Sequence, residues 1–344
     1  MEALGGGTLG EEKSLGKGSL ASVVVIRDAR KADNQALIEL DRQCAMGGTI
    51  QLVLDRSPDF FARSRAYSAF RLFVAQEEGT IIGVGGVSFK TLRVNGITGC
   101  WAYLYDLRVR PTHRRRGVAT LVADALRDVI REQGVSGAYS WVVEGNTPSE
   151  TFVERRGSTP RKRAALALLP DSAGEKSDGF ERITERSDEV ASLLEATYRA
   201  YQFTPQWDVL TLYSTVDRLV PLGWQGMYGK RVQGRWTVCF GLWDYHRVMQ
   251  MAFRGGGSET HVRPFFLYPL GWRDPKHIRE ALCAAQGMIA AQGGTLLLSY
   301  VPGDPLSAFV PEEAFRIGMT LYVRGISQQE RQTEGPLFID PADL

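Results

Sequence analysis

Apolar residues recur along this chain with two periods, and the switching between them marks out its elements. Val118, Leu121, Val122, Ala125, Leu126 and Val129 fall at i, i+3, i+4, i+7, i+8 and i+11. That is one stripe of an amphipathic helix, and it ends near Gln133-Gly134, where glycine is the expected stop. Ahead of it, Arg71–Gln76, Ile82–Leu92 and Cys100–Val109 read as an antiparallel meander joined by the turn dipeptides Glu78-Gly79 and Asn95-Gly96. Val23–Arg27 predicts a first strand and Lys31–Cys44 a helix. Residues 45–58 predict a glycine-containing loop, and Asp59–Tyr67 a second short helix. After the central helix come a strand at Tyr139–Val143, a short helix at Pro148–Arg156 and a strand at Arg163–Leu169.

Residues 170–179 (PDSAGEKSDG) are polar and turn-rich, the composition of a linker. Beyond them the pattern predicts a helix near Asp188–Tyr201 and strands at Trp236–Trp243, Arg247–Phe253 and Pro264–Tyr268. A helix from Pro275 to about Ala291, a strand at Leu296–Val301, a short helix near Pro311–Phe315 and a strand at Met319–Val323 follow. The two halves echo each other. IREQGVSGAYSWV at 130–142 aligns with IAAQGGTLLLSYV at 289–301, each a helix end at Gln-Gly followed by a strand ending Ser-aromatic-Val. The shared order of elements points to a tandem duplication. It divides the chain into a mobile arm at 1–21, a first domain at 22–170, a linker at 171–180, a second domain at 181–326 and a tail at 327–344. The fold class expected is α/β (α+β).

Composition narrows the function. The chain has 344 residues, 44% hydrophobic and 23% charged, which suits two ordinary globular domains. A net charge of +2 gives no argument for nucleic-acid binding, because the basic residues are local to 108–116 and 155–163. No apolar run approaches the roughly 20 residues that span a bilayer, and the first twenty residues make a poor signal peptide. The four cysteines, Cys44, Cys100, Cys239 and Cys283, form no C-x-x-C pair; they suggest neither zinc nor disulfides and suit a cytoplasmic location.

The chemistry concentrates in Leu107-Arg-Val-Arg-Pro-Thr-His-Arg-Arg-Arg-Gly-Val-Ala119, a strand that runs into a basic turn and then a helix. The first-turn N–H groups of a helix lack intrahelical partners, and the helix dipole favours negative charge there. A solvated arginine cluster on an ordinary connection is the bland alternative. The whole phrase, L-x-V-x-P-x-x-R-x-x-G-x-A followed by a regular helix, resembles the acyl-CoA pyrophosphate motif of the GNAT superfamily of N-acetyltransferases. The chain as a whole is similar to tandem acetyltransferases of the plant hookless-like type, with Gly303-Asp-Pro-Leu306 among the supporting matches. The resemblance implies tandem units, each a mixed, mostly antiparallel sheet flanked by helices with splayed fourth and fifth strands. It implies acetyl-CoA as co-substrate, with no metal. The backbones of Leu107 and Val109 would bond the pantetheine amides. Arg114 belongs to the motif, and the N–H groups of Arg115, Arg116, Gly117, Val118, Ala119 and Thr120 would hold the pyrophosphate. Asn146 and Arg155 fit further cofactor contacts, though a capping Asn and a solvated Arg explain them equally. The second copy has Trp272 and Asp274 where the first has its basic turn, so one donor site is expected.

The usual catalytic side chains are missing. Val153 stands where the family's tyrosine protonates the departing thiolate, and Tyr105 and Tyr103 stand at the usual carboxylate positions. Alternation puts Asp106 on the opposite face unless a bulge intervenes. Tyr103 and Tyr105 are either core-facing aromatics or proton donors, Glu144 offers a water-mediated base, and His113 belongs on the loop surface. A lysine-type amine, of pKa about 10.4, is neutral in about one molecule in 2,500 at pH 7, whereas an α-amine near 7.8 is neutral in about one in seven. Weak base machinery therefore favours a less basic amine. The leading expectation is direct acetyl transfer to a primary amine of a small molecule or peptide, with a backbone N–H near Val109 stabilising the oxyanion. The acceptor pocket would be shaped by 45–58 and the second domain. A monomer or homodimer is expected, with no nucleic-acid or membrane partner. The rival is a catalytically weak acetyl-CoA-binding regulatory protein.

Overall fold

The structure is a computed structural model that describes residues 23–47, 51–170, 178–325 and 335–344. The first half runs β1 (Val24–Asp28), α1 (Asn34–Arg42), β2 (Met46–Gly47), β3 (Gln51–Asp55), β4 (Phe70–Glu77), β5 (Thr80–Val94) and β6 (Ile97–Val109). It continues with α2 (Val118–Glu132), β7 (Gly137–Val143), α3 (Thr147–Arg155) and β8 (Thr159–Leu168). The second half runs β9 (Phe180–Ile183), α4 (Asp188–Tyr198), α5 (Val209–Leu219), β10 (Trp224–Val232), β11 (Arg235–Asp244), β12 (Gln250–Gly255) and β13 (Ser258–Val262). It ends with β14 (Pro264–Trp272), α6 (Lys276–Ala290), β15 (Thr295–Tyr300) and β16 (Phe315–Arg324).

Twelve strands form one sheet in the order β1-β4-β5-β6-β7-β16-β8-β15-β14-β11-β10-β9. Read from either edge, the strands fill the same roles, with β6/β7 matched by β14/β15. These two pairs are parallel, and the other pairs in the sheet are antiparallel. The mixed, mostly antiparallel α/β architecture expected for tandem units is thus present, but the units share one sheet. Their last strands are exchanged: β16 lies against β7, while β8 lies between β16 and β15.

The β6/β7 pair holds only at Trp101↔Gly137, Ala102↔Ala138 and Tyr103↔Tyr139. Beyond Tyr103 and Tyr139 the strands part and leave a wedge. On one face of this region α2 packs Val118, Val122, Leu126 and Val129 onto Phe73, Ala75, Ile82, Val87, Phe89 and Ala102. Gly85 permits that approach, since a Cβ there would lie 2.7 Å from a Val122 methyl. The other face carries Tyr67, Tyr103, Tyr105 and Tyr139 in the large core that joins both halves.

Several expectations change. The loop expected at 45–58 contains β2 and β3, and β3 pairs with β12 in a second sheet of order β13-β12-β3-β2. The short apolar run there gave no clear period, and its partner strand comes from the other half. The helix expected at Asp59–Tyr67 reduces to a 3-10 turn at Arg63–Ala66, because Asp55 and Asp59 side chains bond the nearby N–H groups of Ser57 and Phe61. Near Pro311–Phe315 there is a turn; the helical turn is Pro305–Phe309, capped by Asp304 accepting from Leu306 N at 2.8 Å. The strand expected from Arg247 starts at Gln250, after a 3-10 turn at Tyr245–Arg247. The linker residues 171–177, and 326–334 of the second domain and tail, lie outside the described residues. Residues 337–344 run across the core, and Phe338 is buried against Tyr198 and Trp207 with ring centroids at 4.8 and 5.7 Å.

Candidate functional site

The basic turn lies at the open end of the wedge. Pro111–His113 makes one 3-10 turn, and the chain then passes through two left-handed residues, Arg115 at φ +63° and Gly117 at φ +80°. Gly117 caps α2, and Leu121 N–H is the first to reach a carbonyl of this turn, Gly117 O at 3.1 Å. The N–H groups of Val118, Ala119 and Thr120 therefore point out of the helix end. A Cβ on Gly117 would meet nothing within 4 Å, so the glycine fronts open space. The turn is latched to β4: Glu77 accepts from Arg116 at 2.6 and 3.1 Å, and His113 Nε2 lies 3.2 Å from the same carboxylate. His113 is thus a half-buried partner of Glu77, not a free surface residue as the sequence suggested. Arg114 donates to Val109 O at 3.3 Å, tying the turn back to β6.

Leu107 and Val109 lie on β6 past its last pair with β7, so their wedge-side backbone faces no strand. Asn146 caps α3 without a side-chain bond, and Arg155 is exposed in the last turn of α3. The corresponding helix in the second half is occupied differently. There Asp274 accepts from Lys276 N at 3.0 Å and takes the place an anion would fill, while Trp272 is buried at the end of β14.

The candidate catalytic residues separate. Tyr103 and Tyr105 stack at a 5.7 Å centroid distance on the face opposite α2. The Tyr105 hydroxyl donates to Ser64 Oγ at 3.0 Å. The Tyr103 hydroxyl accepts from Arg63 at 3.2 Å and donates to the Asp343 carbonyl. Burial pushes both phenols upward, so neither ionises near neutrality. Glu144 lies at the exposed end of β7, where it lines an open groove of about 580 Å³ with Glu150, Arg161 and Tyr322. A Cβ on the neighbouring Gly318 of β16 would sit 2.2 Å from the Glu144 carboxylate, so Glu144 leans toward β16 and away from the tyrosines.

Asp106 corrects the alternation argument. A bulge shifts the β5/β6 register between Val84 and Gly86, and Asp106 takes φ +55°. The bulge turns Asp106 to the same face as Tyr105, where it meets Arg56 and lies 3.1 Å from Arg63. Burial pushes its carboxyl upward, but the charges of Arg56, Arg63 and Arg108 outweigh this and hold it well below the usual carboxylate range.

A buried carboxylate that the motif could not disclose lies beside this region. Asp343 is buried beside the Tyr103–Tyr139 junction, accepts from the Tyr139 hydroxyl at 2.9 Å and pairs with Lys90. Lys90 also reaches Asp340 at 2.8 Å. Burial raises the Asp343 carboxyl to about 6 against the pull of Lys90, with the Asp340 charge adding to the rise. No sequence signal pointed here, because only the folded chain brings residue 343 to β6 and β7. Among the described residues no cluster of His, Cys, Asp or Glu is arranged to hold a metal, and no helix is long and apolar enough to cross a membrane.

The model of the acetyltransferase (GNAT) family matches residues 35–157, the stretch that holds the wedge and the basic turn. No curated protein matches the chain by sequence. Among solved structures, Saccharomyces cerevisiae N-myristoyltransferase with bound myristoyl-CoA superposes at TM-score 0.64 and 11% identity, covering 92% of this chain and 85% of that one. The glucosamine N-acetyltransferase region of a fungal multi-domain β-N-acetylglucosaminidase superposes at 0.59 and 14%, covering 90% of this chain and 39% of that one. A GCN5-related N-acetyltransferase from Anabaena variabilis superposes at 0.51 and 12%, covering 89% and 74%. These likenesses extend over both halves and concern the fold.

Proposed function

We propose that the protein is an N-acyltransferase that moves an acetyl group from acetyl-CoA to a primary amine on a small molecule or peptide; the match of the GNAT family model to residues 35–157 supports this reading. The observation that carries this reading is the bared start of α2 beside the β6/β7 wedge. The backbone N–H groups of Arg115 to Thr120 would hold the diphosphate, and Leu107 and Val109 would bond the pantetheine amides. The open space at Gly117 fits a phosphate against the backbone. Acetyl-CoA supplies an activated thioester carbonyl, and each charge-assisted hydrogen bond to its phosphates contributes about 1.5–3 kcal/mol. Asp343 would accept the amine proton, directly or through Tyr139, since a carboxyl near 6 is ionised at pH 7 and still basic enough to act. Tyr103 and Tyr105 would line the acceptor side, and Glu144 would stay outside the reaction. The four cysteines form no disulfide, which suits a reducing cytoplasm.

Val153 cannot protonate a leaving thiolate, and the Tyr103 and Tyr105 hydroxyls donate to the Asp343 carbonyl and Ser64 Oγ. That favours, as a second reading, a protein that binds acetyl-CoA without turnover. Labelled acetyl-CoA and longer acyl-CoA donors incubated with a panel of α- and ε-amines separate the two. Amine-dependent acyl transfer supports the enzyme; binding without transfer to any amine supports the second reading.

A further inference from the structure

Five charged side chains are buried where α1, the exit of β3, the 3-10 turn at Arg63–Ala66 and β6 meet. Arg56 donates to both oxygens of Asp41 at 2.8 and 2.9 Å and pairs with Asp106. Arg108 lies 2.6 Å from Asp41 and 3.8 Å from Asp106. Arg63 reaches Asp106, the Tyr103 hydroxyl and, at 3.1 Å, the Ala342 carbonyl. Buried ion clusters are a weak source of stability, and their best-attested role is to fix register. This cluster closes on Asp106, the positive-φ residue that stands with Leu107 opposite Gly85 in the bulge. The next residues, Leu107 to Val109, lie past the last β6/β7 pair, Tyr103↔Tyr139, and border the wedge. A bulge re-aims the strand that follows it, so whatever pins the bulge sets the direction of that backbone.

We propose that Asp106 is a positioning residue for the acyl donor: Arg56 and Arg63 grip its carboxylate and pin the β6 bulge, so that Leu107 and Val109 present their backbone to the pantetheine arm. This rests on the donor assignment above and deepens it, because it divides one ligand between two holders. The start of α2 takes the diphosphate, and the pinned strand takes the pantetheine. The arginines come from the segment between β3 and β4, so the acceptor side and the donor strand share a single anchor.

Calorimetric titration of the full chain with CoA and with 3′-phospho-ADP, the fragment lacking pantetheine, tests the division. Asp106→Asn is expected to weaken CoA about tenfold or more and to leave the fragment within about twofold. Arg63→Lys keeps the charge and loses the fork, and is expected to give the same split; if Asp106→Asn does not fold, this variant decides. Wild-type CoA affinity in the folded variant overturns the proposal. So does equal weakening of both ligands, since a cluster that merely holds the fold would not distinguish them. A wild-type chain that binds neither ligand overturns the donor assignment itself, a different result from wild-type binding without the split.

Discussion

Gly117 combines two requirements at one position. Its φ of +80° is strained for any side chain, and its Cβ direction is open. A substitution there should therefore cost little in packing and much in anion binding. Gly117→Asp is expected to lower the melting temperature by only a few degrees, from about 1–2 kcal/mol of backbone strain, and to abolish CoA binding by setting a carboxylate in front of the bared N–H groups. Calorimetry on folded variant reads this directly, and retained affinity would contradict the donor assignment. Asp343 gives a second test with a definite sign. Its carboxyl is raised to about 6. As a base it works only when ionised, so kcat should climb as pH rises through about 6. Stability runs the other way. A carboxyl whose folded value is raised favours the folded state in acid, and that contribution is lost as pH rises through 6. Asp343→Asn should therefore lower kcat by about 10²-fold and leave thermal stability at pH 7.5 unchanged or improved. A drop in both would assign Asp343 to structure alone.

At the scale of elements, periodicity revealed what depends on one segment and missed what depends on two. The stripe Val118 to Val129 is α2, and Glu78-Gly79 and Asn95-Gly96 are left-handed hairpin turns as their residue types predict. The basic turn was legible as a shape because its backbone geometry is set within a dozen residues. β3 was not, because its partner β12 lies about two hundred residues away, and a short strand has no preference until its partner is present. The bulge at Asp106 could be named only as a proviso for a related reason: its partners Arg56 and Arg63 come from outside its own strand. The last ten residues were legible only as a tail. Yet Leu337, Phe338, Ile339 and Ala342 are buried, and Tyr67 donates to Ala342 O at 2.6 Å. Phe338→Ala is expected to destabilise the protein by about 3–5 kcal/mol, measured by urea denaturation. Its effect on CoA affinity should be small, because Phe338 packs on Tyr198 and Trp207 in the second half. A loss below 1 kcal/mol would mean that the tail is not docked in solution.

For the whole molecule, the exchange of last strands decides how the two halves depend on each other. In the first half alone, β7 loses β16, and β8 loses both neighbours, β15 and β16. Their backbone groups would be left as open edges in the middle of what is now a continuous sheet. The second sheet adds a further link, since β3 and β12 pair across the halves from Gln51 to Asp55. The Arg93 backbone N–H of β5 donates to Thr204 O at 2.8 Å and its guanidinium pairs with Glu195 at 2.6 Å, so the halves also meet outside the sheet ladders. Two domains joined by a linker would unfold in two steps; two units that trade strands should unfold in one. Calorimetry of the full chain is expected to give a single transition with calorimetric and van't Hoff enthalpies in agreement. Residues 1–170 expressed alone should aggregate or lack near-ultraviolet circular dichroism, and co-expression with 171–344 should restore a complex that binds CoA. A soluble, folded first half that binds CoA unaided would show that the strand exchange is dispensable for the donor site, and would place the work of the second half on the acceptor side alone.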